Sequence, residues 1–210
     1  MGRVCLVRRA AGPTTAAVQR GPGPQPLSPY GASKLAGEGY CSAFADAYDL
    51  QTVVLRFSNA YGPRSAHKNS VLSRFLKHAF GKGVLTIYDD GRQTRDYIYV
   101  ADICAGNRLA LEQTPDDGAC TSDVFQIGTG RETTVLELAE RLRELAGGGL
   151  RIAFEPARRG EVERNYADIA KVRRVLVFAP AMSLADGLAT TCAWFAAEVF
   201  RFPHGVHNRA

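Results

Sequence analysis

Segments with helical spacing alternate with short β-branched runs from residue 30 to residue 200, and this alternation restricts the chain to few folds. Large apolar residues spaced along one helical face predict a helix over 31–48. The next segment, Thr52–Phe57 (TVVLRF), is apolar and β-branched, which is typical of a parallel strand buried on both faces. Strands and helices that alternate in this way predict an α/β fold with parallel pairing.

The same patterns continue towards the C-terminus. A loop is expected over Asn59–Ser70, and Thr134, Asp168 and Ser183 are expected to cap helices because their side-chain oxygens can accept from backbone N–H groups. The further helices are predicted over Val71–Phe80, Asp102–Gln113, Val135–Ala146 and Leu184–Phe200, and the further strands over Leu85–Tyr88, Asp96–Val100, Val124–Ile127 and Arg151–Phe154.

The first 25 residues differ in composition from the rest of the chain. They are rich in proline and glycine, and only Val4–Val7 suggests a short strand, so a divergent, disordered lead-in is expected over 1–25. Residues 1–29 hold four arginines and no acidic residue, which accounts for most of the net charge of +5. A basic surface for nucleic acid should lie on a folded element, so no nucleic-acid partner is predicted.

No membrane, disulfide or metal function is predicted. The sequence has no apolar run of ~20 residues and no secretory signal, which favours a cytoplasmic protein. The five cysteines are scattered without a C-x-x-C pair, so reduced thiols are expected, and the four histidines do not group with carboxylates.

Tyr30 and Lys34 are the first candidates for chemistry. Residues four apart share one face of a helix, so the ammonium of Lys34 can lie near the phenol of Tyr30 and favour its ionised form. Such a phenolate can act as the base for a sugar hydroxyl that loses hydride. Spacing alone also allows the ordinary alternative of a packed tyrosine beside a lysine in solvent.

The residues around this pair resemble the active-site helix of the extended short-chain dehydrogenase/reductase family. Further segments follow in that family's order, and within the family the UDP-glucose 4-epimerase-like enzymes are the most similar. The matching segments are PLSPYGASKLAGE (26–38), LRFSNAYGPR (55–64), DGRQTRDYIYVADI (90–103), FQIGTG (125–130), EPARRGE (155–161) and Ala167-Asp168.

The resemblance implies a role for each matching residue. Tyr30 would be the proton acceptor, and Lys34 would bind the nicotinamide ribose of NAD and stabilise the tyrosinate. Phe57 would border the nicotinamide. The remaining roles concern the nucleotide sugar: Asn59, Arg95 and Arg158 at the diphosphate, Glu161 at the nucleotide ribose, and backbone at Ser70, Val71, Leu72, Thr86 and Tyr88 around the uridine.

Several of these residues have a plainer alternative. Arg95 could form a surface ion pair with Asp96, Arg158 could pair with Glu161 in a solvated loop, and Asn59 could be a turn residue. His67 and Lys68 could reach the substrate from their loop, although a solvent-facing pair is favoured.

The resemblance covers the C-terminal half of the family pattern. The sequence contains no glycine-rich G-x-x-G-x-x-G turn for a dinucleotide pyrophosphate, and no hydroxyl about two dozen residues before Tyr30, where the family has Ser or Thr. We therefore expect an incomplete Rossmann-type parallel sheet, a small α/β substrate-binding domain mainly over 59–100 and 128–197, and a tail over 198–210. A truncated or frame-disrupted reading of a longer gene would explain this pattern.

The expected function is a UDP-hexose 4-epimerase of doubtful activity on its own. A catalytically inactive nucleotide-sugar-binding remnant and a nucleotide-sugar 4,6-dehydratase fragment are the alternatives. Acidic partners for a dehydratase are missing before Tyr30, which favours the epimerase. The expected partners are a UDP-sugar or another nucleotide sugar and, for assembly, a second copy of the chain or a complementing N-terminal half.

Overall fold

The structure is a computed structural model that describes residues 3–9, 26, 29–48, 50–81, 83–112, 122–158 and 162–199. The chain divides into two compact units that each contain several separate stretches of sequence. The first unit comprises Met1–Ala60, Asp96–Glu132 and Arg164–Ala181, and the second comprises Tyr61–Arg95, Thr133–Glu163 and Met182–Ala210.

The described residues form ten strands and six α-helices. The strands are β1 (Arg3–Arg9), β2 (Gln51–Phe57), β3 (Asn59–Tyr61), β4 (Val84–Tyr88), β5 (Thr94–Arg95), β6 (Tyr97–Tyr99), β7 (Ser122–Ile127), β8 (Thr133–Thr134), β9 (Arg151–Glu155) and β10 (Arg164–Asn165). The helices are α1 (Pro29–Tyr48), α2 (Val71–Gly81), α3 (Val100–Glu112), α4 (Val135–Leu145), α5 (Ala170–Leu176) and α6 (Leu184–Trp194), which continues as a π-helical turn over Phe195–Val199.

A parallel sheet in the order β1-β2-β7 organises the first unit. β2 lies in the middle, and from Thr52 to Phe57 its side chains are almost all buried, as its continuous apolar run predicts. Leu55 and Phe57 of β2 pack with Phe125 and Ile127 of β7, and with Phe178 after α5, to form the core of this unit. These parallel strands and their helices confirm the predicted α/β class with a Rossmann-type sheet.

Strand β1 lies within the segment that the sequence analysis described as a divergent lead-in. Its seven residues pair in parallel with β2 from Arg3 opposite Gln51 to Arg9 opposite Phe57. The strand suggested at Val4–Val7 is thus present and longer, from Arg3 to Arg9, because β2 offers a pairing partner to each of these residues. Residues 10–25 lie outside the described part of the chain.

The second unit contains two small ladders covered by helices. β4 pairs in parallel with β9, and β5 pairs antiparallel with β8. Helix α2 contacts β4 and α4, and α4 also contacts α6. Fully or almost fully buried side chains from these elements fill the unit: Leu72, Phe75, Leu76, Leu85, Ile87, Leu138, Leu142, Leu188 and Phe195.

Predicted boundaries and observed boundaries differ mainly around Asp96. One strand was expected over Asp96–Val100, whereas the structure has β5 and β6 on either side of Asp96, and α3 begins at Val100. The break has a physical cause, because the backbone N–H of Asp96 donates to Asn165 while its side chain turns inward. In the described part of the chain, no helix is both long and apolar enough to cross a lipid bilayer.

Candidate active site

The Tyr30–Lys34 pair lies at the start of α1. Pro29 is the first residue of this helix, a position that suits proline because the first N–H has no helical partner. Tyr30 is 51% exposed, and the Nζ of Lys34 lies 5.2 Å from the centroid of its ring. The ammonium and the phenol therefore lie on the same face of the helix, at a distance where a cation attracts the ring.

A bidentate ion pair attaches α1 to the central strand one turn after Lys34. Arg56 Nε donates to Glu38 Oε1 at 2.8 Å, and Arg56 Nη2 donates to Glu38 Oε2 at 2.6 Å. Both side chains are largely buried, and the planar fork fixes their relative orientation. Burial and the Glu38 carboxylate also raise the pKa of the neighbouring Cys41 thiol. This contact fixes the helix that carries Tyr30 and Lys34 against β2.

The other two sequence-predicted residues of the first unit follow at the end of β2. Phe57 is its last residue and is buried. Asn59 opens β3, where its backbone N–H donates to the carbonyl oxygen of Asp96 at 2.8 Å and its Nδ2 donates to the same oxygen at 3.1 Å. Asn59 therefore lies in a strand, and the alternative that it is a turn residue is wrong.

Asp96 is fully buried and organises the segments around the end of β2. Its carboxylate accepts hydrogen bonds from the Thr129 N–H and hydroxyl, the Gly130 N–H, the Ser58 hydroxyl and the Ala167 N–H. The alternative of a surface ion pair between Arg95 and Asp96 is therefore wrong. The Asp96 carboxylate is not exposed to solvent, and its hydrogen-bond partners are these interior donors. No sequence pattern predicted a separate role for Asp96.

The predicted uridine-side residues lie in the second unit on β4 and at the start of α2. Thr86 and Tyr88 are half-buried on β4, and Leu72 is buried in the first turn of α2. Ser70 precedes that helix, and its hydroxyl accepts from the Ser73 N–H at 3.4 Å. The structure brings Arg158 to this group, because its guanidinium carbon lies 3.5 Å from the centroid of the Tyr88 ring.

Arg74 is a candidate that the sequence analysis missed. It lies in the first turn of α2, and its guanidinium carbon lies 5.8 Å from the centroid of the Tyr88 ring. A cation in the first turn of a helix opposes the macrodipole, so its position was an available signal in the sequence.

Arg95 contacts backbone in the structure. Its Nη1 donates to the carbonyl oxygens of Thr94 at 2.8 Å and Val162 at 2.6 Å. Glu161, predicted at the nucleotide ribose, lies outside the described residues. His67 and Lys68 are exposed, as the solvent-facing alternative predicts.

Comparison with known proteins places these residues in a family. Residues 5–128 match the model of the NAD dependent epimerase/dehydratase family. A dTDP-glucose 4,6-dehydratase of Actinoplanes is 35% identical over 174 residues, which is 82% of this chain and 52% of that protein. The chain spans about half the length of the curated relatives that it matches.

Two solved epimerase structures are similar to this chain. The UDP-glucose 4-epimerase of Thermotoga maritima with UDP-glucose has a TM-score of 0.75 and 37% identity, over 82% of this chain and 55% of that one. The UDP-glucuronic acid 4-epimerase of Bacillus cereus, in complex with UDP-glucuronic acid and NAD, has a TM-score of 0.81 and 30% identity, over 92% and 61%. The family resemblance expected from the motifs is confirmed, and this chain belongs to the NAD dependent epimerase/dehydratase family.

Proposed function

We propose that this chain carries the proton-transfer and substrate-binding groups of an NAD-dependent nucleotide-sugar 4-epimerase. The observation that carries the proposal is the position of Lys34 Nζ, 5.2 Å from the ring centroid of the exposed Tyr30 on α1. The family match includes this helix, and similar structures hold UDP-glucose in one case and UDP-glucuronic acid with NAD in another. A UDP-hexose is therefore the proposed substrate.

The residues present suit the nicotinamide side of the cofactor. Tyr30 and Lys34 offer a hydroxyl and an ammonium on one exposed helical face, where they would hold the nicotinamide ribose, and Phe57 offers an apolar side chain at the end of β2. The glycine-rich turn that binds a dinucleotide pyrophosphate is not among these 210 residues. When bound, NAD supplies the acceptor for hydride from C4 of the sugar and gives that hydride back.

Tyr30 is the proposed base in both directions of the reaction. As a phenolate it takes the proton from the 4-hydroxyl of the sugar, and as a phenol it returns a proton to the oxygen at C4 once the ketone has turned. Lys34 stabilises the phenolate through its positive charge. The bidentate Glu38–Arg56 pair holds the helix that carries both residues.

The second unit provides most of the proposed nucleotide-binding groups, and the first unit contributes Asn59. Backbone at Ser70–Leu72 and Thr86–Tyr88 would surround the uridine, and Arg158 and Arg95 would bind the diphosphate together with Asn59. A guanidinium suits this task because its planar fork matches two phosphate oxygens. Binding through the diphosphate leaves the hexose able to rotate, which an epimerase needs in order to return hydride to the opposite face.

A Tyr30→Phe variant tests the proposal. The purified chain is supplied with NAD and UDP-glucose, and UDP-galactose is measured by chromatography. Loss of the phenol should reduce turnover by about 10²- to 10⁴-fold, the range usual for a general base, and leave UDP binding unchanged. Tyr40→Phe is the matched control, because Tyr40 is an exposed tyrosine of the same helix, and it should keep full activity.

Two other outcomes would replace the proposal. UDP binding without turnover by the unsubstituted chain would identify a nucleotide-sugar-binding protein without epimerase activity. A product lighter by one water would identify a 4,6-dehydratase, the second candidate, which is favoured by the identity to the Actinoplanes dehydratase.

A further inference from the structure

Two arginines from distant parts of the second unit converge on one aromatic ring. Arg158 follows β9 and stacks on Tyr88 with its guanidinium carbon 3.5 Å from the ring centroid. Arg74 comes from α2, and its guanidinium carbon lies 5.8 Å from the same centroid. Both guanidiniums therefore lie within reach of the same ring, Arg158 in close contact and Arg74 farther out.

Neither guanidinium has a carboxylate partner among the described residues. Several exposed arginines do have a carboxylate partner, as Arg141 has in Glu137 and Arg164 has in Glu132. Arg74 differs, because its Nε is buried without a hydrogen-bond partner in the described part of the chain. A buried donor without an acceptor is costly, so this side chain holds hydrogen-bonding capacity that a ligand can use.

The position of Arg74 in α2 adds to the positive potential. It lies in the first turn, where the helix dipole already presents positive charge and where α2 has no acidic residue. The Ser70 hydroxyl accepts from the Ser73 N–H, and the Ser70 carbonyl accepts from the Arg74 N–H, so the start of the helix is well ordered. An ordered helix start that carries a guanidinium in its first turn is suited to an anion.

We propose that Arg74 is an anion-binding residue that acts with Arg158 on the diphosphate of the nucleotide sugar. The inference rests on the proposed function and adds a residue to its substrate site. Arg95 has its Nη1 directed to two backbone carbonyls, whereas the side chain of Arg74 has its ring contact with Tyr88 and no hydrogen bond among the described residues. Arg74 therefore supplies the second guanidinium beside Tyr88.

The test is the affinity of the full chain for UDP, measured by titration calorimetry at several salt concentrations. Arg74→Gln should weaken UDP binding by about tenfold or more, because a charge-assisted hydrogen bond is lost. It should also make the salt dependence of the affinity shallower, since one cation fewer contacts the ligand. Arg74→Lys should recover part of the affinity, and Arg158→Gln should resemble Arg74→Gln.

Arg141→Gln is the control, because it removes the same charge from an exposed pair on α4 and should leave UDP affinity within about twofold. Unchanged UDP affinity in Arg74→Gln, with weakened affinity in Arg158→Gln, would overturn the inference and leave the proposed function intact. A loss of affinity with an unchanged salt dependence and no recovery in Arg74→Lys would show a structural role and overturn it as well. Failure of the unsubstituted chain to bind UDP would overturn the proposed substrate itself.

Discussion

At the scale of single residues, the buried carboxylate of Asp96 connects two separate sequence motifs. Asp96 comes from the QTRD segment, and Thr129 and Gly130 come from the IGTG segment. Their side-chain and backbone donors meet at one buried carboxylate. Gly128 belongs to the same contact, because a Cβ at this position would lie 2.7 Å from the Cβ of Ala167. The two motifs thus describe the two halves of one hydrogen-bonded cluster.

Asp96→Asn should therefore destabilise the chain by about 2–3 kcal/mol. The amide places a donor where the carboxylate accepts from several N–H and hydroxyl groups, and these groups are buried. Urea unfolding monitored by circular dichroism measures the change in the free energy of unfolding. Asp46→Asn, at an exposed position of α1, should change stability by less than about 0.5 kcal/mol. Equal effects of the two substitutions would contradict the account of Asp96.

Contacts within one helix could be predicted from residue spacing, whereas contacts between distant elements could not. Tyr30 and Lys34 could be placed on one face because a helix brings residues four apart together. Arg74 and Tyr88 could not, because they meet only when α2 packs beside β4. The partners of Asp96 were missed for the same reason, since Thr129 lies 33 residues further along the chain.

At the scale of elements, side-chain caps made helix starts predictable. The Thr134 hydroxyl accepts from Glu137 N at 3.0 Å at the start of α4, and Ser183 accepts from Asp186 N at 3.1 Å at the start of α6, as predicted. The prediction that Asp168 is the cap of α5 is wrong by one residue. Ile169 is the N-cap, and Asp168 Oδ1 accepts from the Ala170 N–H just inside the helix.

The C-terminal end of α5 contains a strained residue that no pattern predicted. Val177 has φ 51° and ψ 29°, in the left-handed region, and it is 74% exposed. A β-branched side chain is unfavourable in this conformation, which glycine adopts freely. The next residue, Phe178, is buried in the core of the first unit.

Val177→Gly should raise the free energy of unfolding by about 1 kcal/mol, because it removes the left-handed strain. Val175→Gly is the matched control within α5, where the valine is partly exposed and the backbone is helical. That change should lower stability by about 0.5–1 kcal/mol, since glycine is a poor helix former. Thermal unfolding of both variants checks the opposite signs, and a loss of stability in Val177→Gly would contradict this explanation.

At the scale of the whole molecule, the resemblance predicted the family, and the alternation of elements predicted the α/β class. The expected substrate-binding stretches, 59–100 and 128–197, already left 101–127 outside that portion, but no pattern separated Arg164–Ala181 from the second stretch, because that depends on long-range pairing. The Tyr30–Lys34 pair belongs to the first unit, and the arginines at Tyr88 belong to the second. The proposed function thus assigns the proton transfer to the first unit and most of the nucleotide binding to the second.

The most direct test of the proposed function is the fate of the hydrogen at C4 of UDP-glucose when the purified chain is incubated with it and NAD in D₂O. Hydride that leaves C4 and returns to C4 does not exchange with solvent, while a proton carried by the proposed base Tyr30 does. Proton NMR of the UDP-galactose formed should therefore show protium at C4 without deuterium. Deuterium at C4 would mean that the C–H bond is broken by proton abstraction, and the assignment of Tyr30 as the base for the 4-hydroxyl would be wrong.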